Sequence, residues 1–522
     1  MSKQRRYVTT PIYYVNDRPH IGHVYTTTLC DVYARAMRAI GHDMFFLTGT
    51  DEHGVKVEQS AIEQGLTPQE LADKNSAEFQ SIMGMFELTN DEFIRTTDQM
   101  HMKQVQAFVS KLLEKGDVYL GTFEGWYDDG QEEYHTETSA RDLDFTSPIS
   151  GKPLVRATEK NYYFKLSAYQ ETLEKLFETY PDFVLPNSRK NEVLGRLREG
   201  LQDVPISRTN FSWGIPMPND SEHVIYVWID ALFNYITALG LGDPSSTQFA
   251  ERSKYWPASY HIIGKEILWF HSVIWPAVLI ALDLPLPHCV YAHSFWISEG
   301  RKMSKSLGNF IDLETIEWYV NKYCMDAWRY YLVTQGPLGA SDADFVAEKF
   351  HDIYNAHLVN TVGNCTSRVT AMIGKYFDGV VPSESQNGER IVFDGFNWPE
   401  KCKKAVDEWV SGMESFSLGT AFEAPMTLIR DIDLFINDTA PFKLANDETK
   451  QPQVAAILYQ CIESLRIASV LLATLLPNKM NEFHQAIGVD TNQGSFEDLL
   501  AWGGIQEGAI ITKVALFPRV DQ

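Results

Sequence analysis

The chain has 522 residues, 44% of them hydrophobic, and a formal net charge of −24 at pH 7. This length predicts about three to four folding units with real cores, and the negative charge argues against nonspecific nucleic-acid binding. No apolar run approaches membrane-spanning length and no secretory signal begins the chain, so we expect a cytoplasmic protein that does not enter a membrane.

The first predicted elements are a strand over residues 7–10 and a helix from about residue 20 to residue 40. A strand that leads into a helix N-terminus directs backbone N–H groups and the positive end of the helix dipole to a point where phosphate can bind. His20 and His23 share one face of the first turn, and Gly22 lets a ligand approach the backbone closely. A capped helix with two surface histidines is an equally good interpretation of this pattern alone.

A second buried strand is predicted over residues 44–48, and the order strand, helix, strand indicates a parallel α/β unit. Asp51 follows at the carboxyl edge of the sheet, where open sheets bind ligands, and is a candidate to hold a cationic amino group. Alternatively, Asp51 caps the helix that begins near Val55. From about residue 116 to residue 187 the chain is rich in short polar and glycine-containing pieces, which predicts an insertion between two halves of the sheet.

The second half of the sheet resumes near residue 224. Trp228, Ala231 and Tyr235 then fall at spacings that share one face of a helix. By pattern alone this face indicates core packing.

A further strand is predicted over residues 260–264, and Glu266 at its end is placed to accept hydrogen bonds from a ribose. Phe270, His271 and Trp275 continue along the next helix. Aromatic rings suit a thioether because sulfur against a ring edge is stabilised by up to about 1 kcal/mol. An ordinary buried aromatic cluster is the competing interpretation.

The stretch Lys302-Met303-Ser304-Lys305-Ser306 is a cationic, hydroxyl-rich loop. Such a loop suits a polyphosphate whose negative charge must be stabilised as it leaves, although a basic loop alone is usually a solvated turn. Beyond about residue 350 the strands disappear, and amphipathic helices indicate a helical bundle.

With His20-Ile21-Gly22-His23 and the 302–306 loop as its two signatures, the chain resembles the class I aminoacyl-tRNA synthetases and, among them, the methionyl enzymes. The resemblance implies an α/β fold: a Rossmann-like, doubly wound parallel sheet with a connective-peptide insertion, followed by an all-α anticodon-binding bundle. The implied ranges are the first catalytic half at 1–116, the insertion at 117–190, the second catalytic half at 191–295, the signature loop and stem-contact region at 296–350 and the helical domain at 351–522.

The activity implied by this resemblance is ATP-dependent ligation of L-methionine to tRNA(Met) through methionyl-adenylate, with Mg²⁺ accompanying the ATP. The implied catalytic residues are His20, His23, Lys302 and Lys305, and the implied ATP-binding residues are Gly22, Glu266 and Lys305. The implied methionine-binding residues are Ile12, Tyr14, Asp51, Trp228, Ala231, Tyr235, Phe270, His271 and Trp275.

In the helical bundle, the resemblance implies that Asn364 and Arg368, four residues apart on one helix face, read the anticodon. Phe442 stands where related enzymes carry a tryptophan, and its smaller ring can still stack on an unpaired base. Surface polar residues and a buried phenylalanine are the alternative interpretation.

Many methionyl enzymes carry a zinc knuckle in the insertion. The aligned ligand positions here hold Asp128, Gln131, Ser147 and Ser150, and because serine and glutamine are poor zinc ligands we expect no structural zinc. No appended tRNA-binding module is recognised after Val520, so a monomer is expected. Two alternatives to this function stay open: a non-catalytic tRNA-binding protein, and a class I synthetase of different amino-acid specificity.

Overall fold

The computed structural model describes residues 3–16, 18–128, 133–135, 137–148, 150–303, 308–491 and 493–521. Its strands are β1 (Arg5–Thr9), β2 (Tyr13–Tyr14), β3 (Asp43–Asp51), β4 (Glu92–Arg95), β5 (Val118–Asp128), β6 (Glu133–His135), β7 (Val155–Phe164), β8 (Val184–Leu185), β9 (Val204–Pro205), β10 (Ser207–Arg208), β11 (Pro216–Met217), β12 (Asp220–Ile225), β13 (Tyr260–Gly264), β14 (Val290–His293), β15 (Trp296–Ser298), β16 (Arg301–Lys302), β17 (Ala343–Phe345), β18 (Ser385–Gln386) and β19 (Glu389–Arg390).

Its α-helices are α1 (Ile21–Ile40), α2 (Val55–Gln64), α3 (Pro68–Met85), α4 (Gln99–Lys115), α5 (Glu137–Asp142), α6 (Gln170–Thr179), α7 (Asn187–Leu197), α8 (Val227–Thr237), α9 (Thr247–Arg252), α10 (Trp275–Ala281), α11 (Leu313–Tyr323), α12 (Met325–Gln335), α13 (Ala347–Ile353), α14 (Asn364–Phe377), α15 (Trp398–Glu414), α16 (Leu418–Thr439), α17 (Pro441–Leu444), α18 (Gln451–Leu472), α19 (Pro477–Ala486) and α20 (Phe496–Leu500). The strands predicted over residues 7–10, 44–48 and 260–264 and the first helix are confirmed, with ends shifted by at most three residues. The prediction that the main sheet resumes near residue 224 is wrong, because β12 pairs there with β10 and β11 in a separate antiparallel sheet.

A parallel sheet forms the centre of the catalytic half of the molecule. β1 lies in its middle, with β3 and then β4 on one side and β13, β14 and β8 on the other. β2 pairs with the end of β3 and extends the line of β1. The winding direction reverses between β1 and β13, and this is the position at which doubly wound sheets bind ligands. The predicted α/β fold class is confirmed.

Within the range predicted as an insertion, β5, β6 and β7 form an antiparallel sheet that β9 completes. β5 and β7 are its long central pair, with Val118 opposite Phe164 and Tyr127 opposite Val155. β8 lies in the same range of the sequence but joins the edge of the central sheet. The predicted domain boundaries stay predictions.

A hairpin of β15 and β16 carries the chain into the second signature. Glu299 and Gly300 form its turn with φ angles of 54° and 69°, a left-handed pair that matches the twist of two-residue hairpins. β17 pairs with β15 in parallel and then leads directly into α13. The strand that pairs with the hairpin thus ends two residues before the first helix of the bundle begins.

The carboxyl-terminal part of the chain is a helical bundle, as predicted, although the short hairpin of β18 and β19 departs from the expectation that strands disappear beyond residue 350. Its first helix is continuous from α13 through a π-helical stretch, Tyr354–Gly363, into α14. In the described part of the chain one helix, residues Glu448–Leu472, is long and apolar enough to cross a membrane, contrary to our expectation from the sequence. Its most apolar window is 94% buried inside the bundle, because it packs against α14, α15 and α16.

Candidate active site

A cleft of about 400 Å³ opens at the carboxyl ends of the central strands. It is walled by the segment after β1, the first turn of α1, the end of β3, one face of α8 and the turns after β13 and β14. The predicted site residues that line it are Ile12, Tyr14, His20, Gly22, His23, Asp51, Trp228, Ala231, Tyr235, Glu266 and His271. Residues more than 250 positions apart in the sequence thus meet in one cavity.

His20 and His23 form the N-cap of α1. The Gly22 N–H donates to His20 Nδ1 at 3.0 Å, and the His20 N–H donates to His23 Nδ1 at 3.2 Å. Because each Nδ1 accepts a backbone hydrogen bond, a neutral ring carries its proton on Nε2. Burial holds the pKa of His23 well below its usual value, and the His20 ring, whose centroid lies 3.9 Å from that of His23, lowers it further. The pair is at once a helix cap and a source of N–H donors beside the helix N-terminus.

The chain that follows the second signature reaches this pair. The Ile21 N–H donates to the Ile311 carbonyl at 3.1 Å, and the His20 ring lies edge-on to Phe310 at 5.2 Å. Lys302 ends β16 with its side chain exposed. Lys305 lies outside the described residues. The structure therefore places the chain that leaves the loop beside the first signature.

Glu266 follows β13 and projects into the cleft. Its carboxylate is open to the solvent of the cleft, yet the surrounding protein desolvates it and raises its pKa, against the opposing charges of Lys265 and Lys302. Lys302 is thus close enough to Glu266 to act on it electrostatically. At Gly264 an added Cβ atom would displace this carboxylate from its present position.

Asp51 is the last residue of β3 and lines the cleft with its side chain almost wholly buried. α2 begins after Gly54, and its N-cap has no side-chain hydrogen bond. The alternative interpretation of Asp51 as a helix cap is therefore wrong. The next residue, Glu52, points away from the cleft and forms a bidentate pair with Arg95 at 2.7 and 2.9 Å.

Trp228, Ala231 and Tyr235 share the face of α8 that lines the cleft. The Trp228 ring stacks on Phe270 with centroids 4.5 Å apart. Phe270 and Trp275 do not line the cavity: Phe270 backs Trp228, and the fully buried Trp275 packs 6.1 Å from Tyr235. Both are a second layer of the aromatic wall.

His271 and Tyr235 form a hydrogen-bonded pair at the inner end of the cleft. The Tyr235 hydroxyl lies 2.7 Å from His271 Nε2, and His271 Nδ1 lies 3.0 Å from the Ile267 carbonyl. Since a carbonyl only accepts, Nδ1 carries the proton and Nε2 accepts from the tyrosine. Burial lowers the pKa of His271 to about 4. The pair is therefore uncharged at neutral pH.

Two further polar residues of the cleft wall were missed in the sequence. Thr26 Oγ1 lies 2.8 Å from His293 Nε2, and His293 Nδ1 donates to the Ser294 carbonyl at 2.8 Å. Burial lowers the pKa of His293 to about 4. His293 ends β14, so the carboxyl-end rule that selected Asp51 and Glu266 would have selected it too.

A family model described as class I tRNA synthetases (M) matches residues 6–143 and 139–370. The chain is 41% identical to the methionine–tRNA ligase of Halalkalibacterium halodurans, over 100% of the chain and 79% of that protein. It is 39% identical to the methionine–tRNA ligase of Bacillus subtilis, over 99% and 78%. Mycobacterium tuberculosis methionyl-tRNA synthetase in complex with methionyl-adenylate superposes with a TM-score of 0.91 at 34% identity, over 99% of the chain and 100% of that structure. The chain belongs to the methionyl-tRNA synthetases.

The resemblance inferred from the two signatures is confirmed by these matches. In a methionyl-tRNA synthetase the bundle residues Asn364, Arg368 and Phe442 are the anticodon candidates. Arg368 Nη2 donates to Asn437 Oδ1 at 3.0 Å, and its Nη1 lies 3.7 Å from Asp433. Phe442 is 41% exposed, so the alternative of a buried phenylalanine is wrong.

The insertion of this methionyl-tRNA synthetase was expected to lack zinc. Among the residues that the structure describes, no group of three or more His, Cys, Asp or Glu side chains is arranged to hold a metal ion. Gln131, one of the four aligned ligand positions, lies outside the described residues. The expected absence of zinc stays a prediction.

Proposed function

We propose that this protein is a methionine–tRNA ligase that charges tRNA(Met). The methionine carboxylate attacks the α-phosphate of ATP in line, so that the bond to the β-phosphate breaks and methionyl-adenylate and pyrophosphate form. A hydroxyl of the terminal tRNA adenosine then attacks the carbonyl of the adenylate, and AMP leaves. No enzyme nucleophile takes part, so catalysis rests on positioning and charge stabilisation.

One observation carries the proposal: a single cleft holds a buried carboxylate, an uncharged aromatic pocket and two imidazole donors at a helix N-terminus. A site that binds both a nucleotide and an amino acid with an apolar side chain needs these three groups together. A non-catalytic tRNA-binding protein would have no use for them.

Methionine would bind with its ammonium group on Asp51 and its side chain between Ile12, Tyr14, Trp228 and Ala231. A charge-assisted hydrogen bond to a carboxylate stabilises a bound ammonium group by roughly 1.5–3 kcal/mol. The neutral Tyr235–His271 pair closes the inner end, behind which Phe270 and Trp275 keep the wall rigid. An uncharged, polarisable pocket of this kind suits a thioether.

ATP would bind with its phosphates at the start of α1. Gly22 lets the phosphates approach the backbone, and His20 and His23 would offer Nε2–H donors, because their cap hydrogen bonds are accepted at Nδ1. Glu266 would accept hydrogen bonds from the ribose hydroxyls. Lys302 and Lys305 would stabilise the charge that develops on the departing pyrophosphate.

Mg²⁺ would accompany the ATP as the counterion of its phosphates. Magnesium in such sites keeps several waters and takes most of its other ligands from the phosphates. The described residues around the cleft fit this arrangement, since they offer N–H donors and a carboxylate rather than a metal cage.

For the transfer step, the exposed Phe442 would stack on an anticodon base, with Asn364 and Arg368 hydrogen-bonded to base edges. The enzyme would act as a monomer in the cytoplasm, where its tRNA(Met) substrate is.

The test is ATP–pyrophosphate exchange measured separately with each of the common amino acids. We expect exchange with methionine, and we expect Asp51→Asn to lower kcat/KM for methionine by about 10- to 100-fold, because a neutral amide binds an ammonium group less strongly. Asp43→Asn is the matched control: Asp43 lies at the other end of β3, bonded to Lys254 and Tyr255, and its loss should leave exchange unchanged.

Three results would contradict the proposal. Absence of exchange with every amino acid would favour a binding protein. Exchange with an amino acid other than methionine would show a different specificity. Equal losses in the Asp51 and Asp43 variants would remove the assigned role of Asp51.

A further inference from the structure

A buried His–Asp–His cluster lies one layer behind the cleft. Asp230 Oδ2 is 2.6 Å from His53 Nδ1, and Asp230 Oδ1 is 2.7 Å from His101 Nε2. His101 Nδ1 in turn lies 2.7 Å from Thr237 Oγ1. All three side chains of the cluster are at most 4% exposed. None of them lines the cleft.

The cluster joins three elements that build the amino-acid side of the cleft. Asp230 is on α8, on the face opposite the pocket residues Trp228 and Ala231. His53 is in the turn between β3 and α2, two residues after Asp51. His101 is on α4, which packs along the rear of α8.

A carboxylate this deeply buried is costly unless its partners compensate its charge. Two histidines hold the pKa of Asp230 below its usual value in spite of burial, so the group is ionised and attracts both rings. Apolar packing alone would fill this space at a lower cost, whereas the two hydrogen bonds to Asp230 hold His53 and His101 at fixed distances from α8. We therefore attribute the buried ionic cluster to a need to fix the position of α8 relative to the turn that carries Asp51.

We propose that Asp230, His53 and His101 are positioning residues that set the distance between Asp51 and the pocket wall on α8. This inference rests on the proposed function, in which Asp51 holds the ammonium group of methionine and α8 its side chain. Both ends of a small substrate must fit at once, so a shift of the wall by a fraction of an ångström weakens binding of the amino acid.

The nucleotide side of the cleft is built differently. His20 and His23 are held by the backbone of their own helix turn, and Glu266 follows β13. Loss of the cluster should therefore weaken the binding of methionine much more than the binding of ATP. This difference distinguishes a positioning role from a general loss of structure.

The first test compares His53→Ala with His53→Asn in ATP–pyrophosphate exchange. The asparagine Nδ2 occupies nearly the position of the histidine Nδ1 and can donate to Asp230, whereas alanine cannot. We expect His53→Ala to raise KM for methionine about tenfold, with KM for ATP within about twofold, and His53→Asn to restore most of the loss. Asp230→Asn, which keeps the shape but removes the charge, should also raise KM for methionine selectively.

His484→Ala is the matched control, since His484 is a buried histidine of the bundle with a hydrogen bond from Nε2 to Ser469 at 2.8 Å. It should lower the thermal midpoint without changing KM for methionine. If His53→Ala behaves like this control, or raises both KM values equally, the inference is wrong.

Should His53→Ala fail to fold, the folded His53→Asn and Asp230→Asn variants decide the matter by the same comparison of KM values. Calorimetric binding of methionine to each variant needs no turnover. Wild-type protein without exchange activity would overturn the proposed function and this inference with it, whereas an active wild type with unchanged methionine binding in Asp230→Asn would overturn the inference alone.

Discussion

At the scale of single residues, the protein uses histidine as a neutral hydrogen-bonding group. His271 and His293 in the cleft and His484 in the bundle are each buried and hydrogen-bonded, and burial lowers the pKa of each to about 4. Because a neutral imidazole has one donor and one acceptor, its tautomer is set by the backbone carbonyl or hydroxyl beside it. The amino-acid pocket therefore keeps the same charge across the neutral pH range.

These histidines predict a loss of stability in acid. The unfolded chain takes up a proton at a histidine near pH 6.5, whereas the folded chain binds one at His484 only near pH 4. Stability from this group is therefore complete above pH 6.5 and falls as the pH is lowered towards 4, by about 1.4 kcal/mol at pH 5.5.

His484→Gln keeps a polar group near Ser469 but cannot be protonated. We expect its thermal midpoint to fall less than that of the wild type between pH 7.5 and pH 5.5. Equal falls in the two thermal midpoints would show that His484 takes up its proton equally in the folded and the unfolded protein, which would contradict the lowered pKa.

At the scale of an element, α1 shows how a helix terminus becomes a site. The N-terminal cap is made by the side chains of His20 and His23, so the groups that cap the start of the helix are the same groups that face the cleft. Gly22 is required by contact rather than by backbone conformation: a Cβ atom there would lie 2.9 Å from His20 Cε1. The first turn is therefore tight around the His20 ring.

This geometry predicts that Gly22→Ala separates stability from activity. Alanine in a helix is favoured over glycine by up to about 1 kcal/mol, so the thermal midpoint should hardly change, while the displaced His20 ring should lower methionine-dependent exchange by at least about tenfold. Gly84→Ala in α3 is the matched control, because no atom of the described residues lies within 4 Å of its added Cβ. Normal exchange in Gly22→Ala would show that the His20 ring position is unimportant.

At the scale of the whole molecule, the second signature and the anticodon candidates belong to one continuous stretch of chain. The hairpin of β15 and β16 pairs with β17, and β17 leads into the helix that carries Asn364 and Arg368. The bundle also reaches α1 directly: the fully buried Arg329 bonds to Asp31 at 2.7 Å and to the Leu475 carbonyl at 3.1 Å. The bundle is thus connected to the part of the molecule that forms the cleft by strand pairing and by buried hydrogen bonds.

This arrangement predicts that Arg368→Ala impairs tRNA charging but not amino-acid activation. Arg368 lies on the bundle, so exchange should stay within about twofold, whereas KM for tRNA(Met) should rise by about tenfold or more through the loss of a charged contact. Arg430→Ala, another bundle arginine that pairs with Glu423 on the surface of α16, should change neither. Parallel losses of exchange and charging in Arg368→Ala would contradict the anticodon role.

The amino-acid sequence alone determined the fold class and most of the helices and strands near the site. These follow from local rules: the alternation of a strand, the period of a helix, and the position of polar residues where a strand ends. The helical period placed Trp228, Ala231 and Tyr235 on one face in this way, but it was the family resemblance that assigned this face to the site.

Only the tertiary structure decided which of the candidate residues face the cleft. It showed that Asp51 lines the cavity instead of capping α2, that Phe270 and Trp275 stand behind the wall, and that His53 and His101 meet at Asp230. The reason is physical: these relations join residues far apart in the chain, and they depend on how whole helices pack against the sheet rather than on any pattern within one segment.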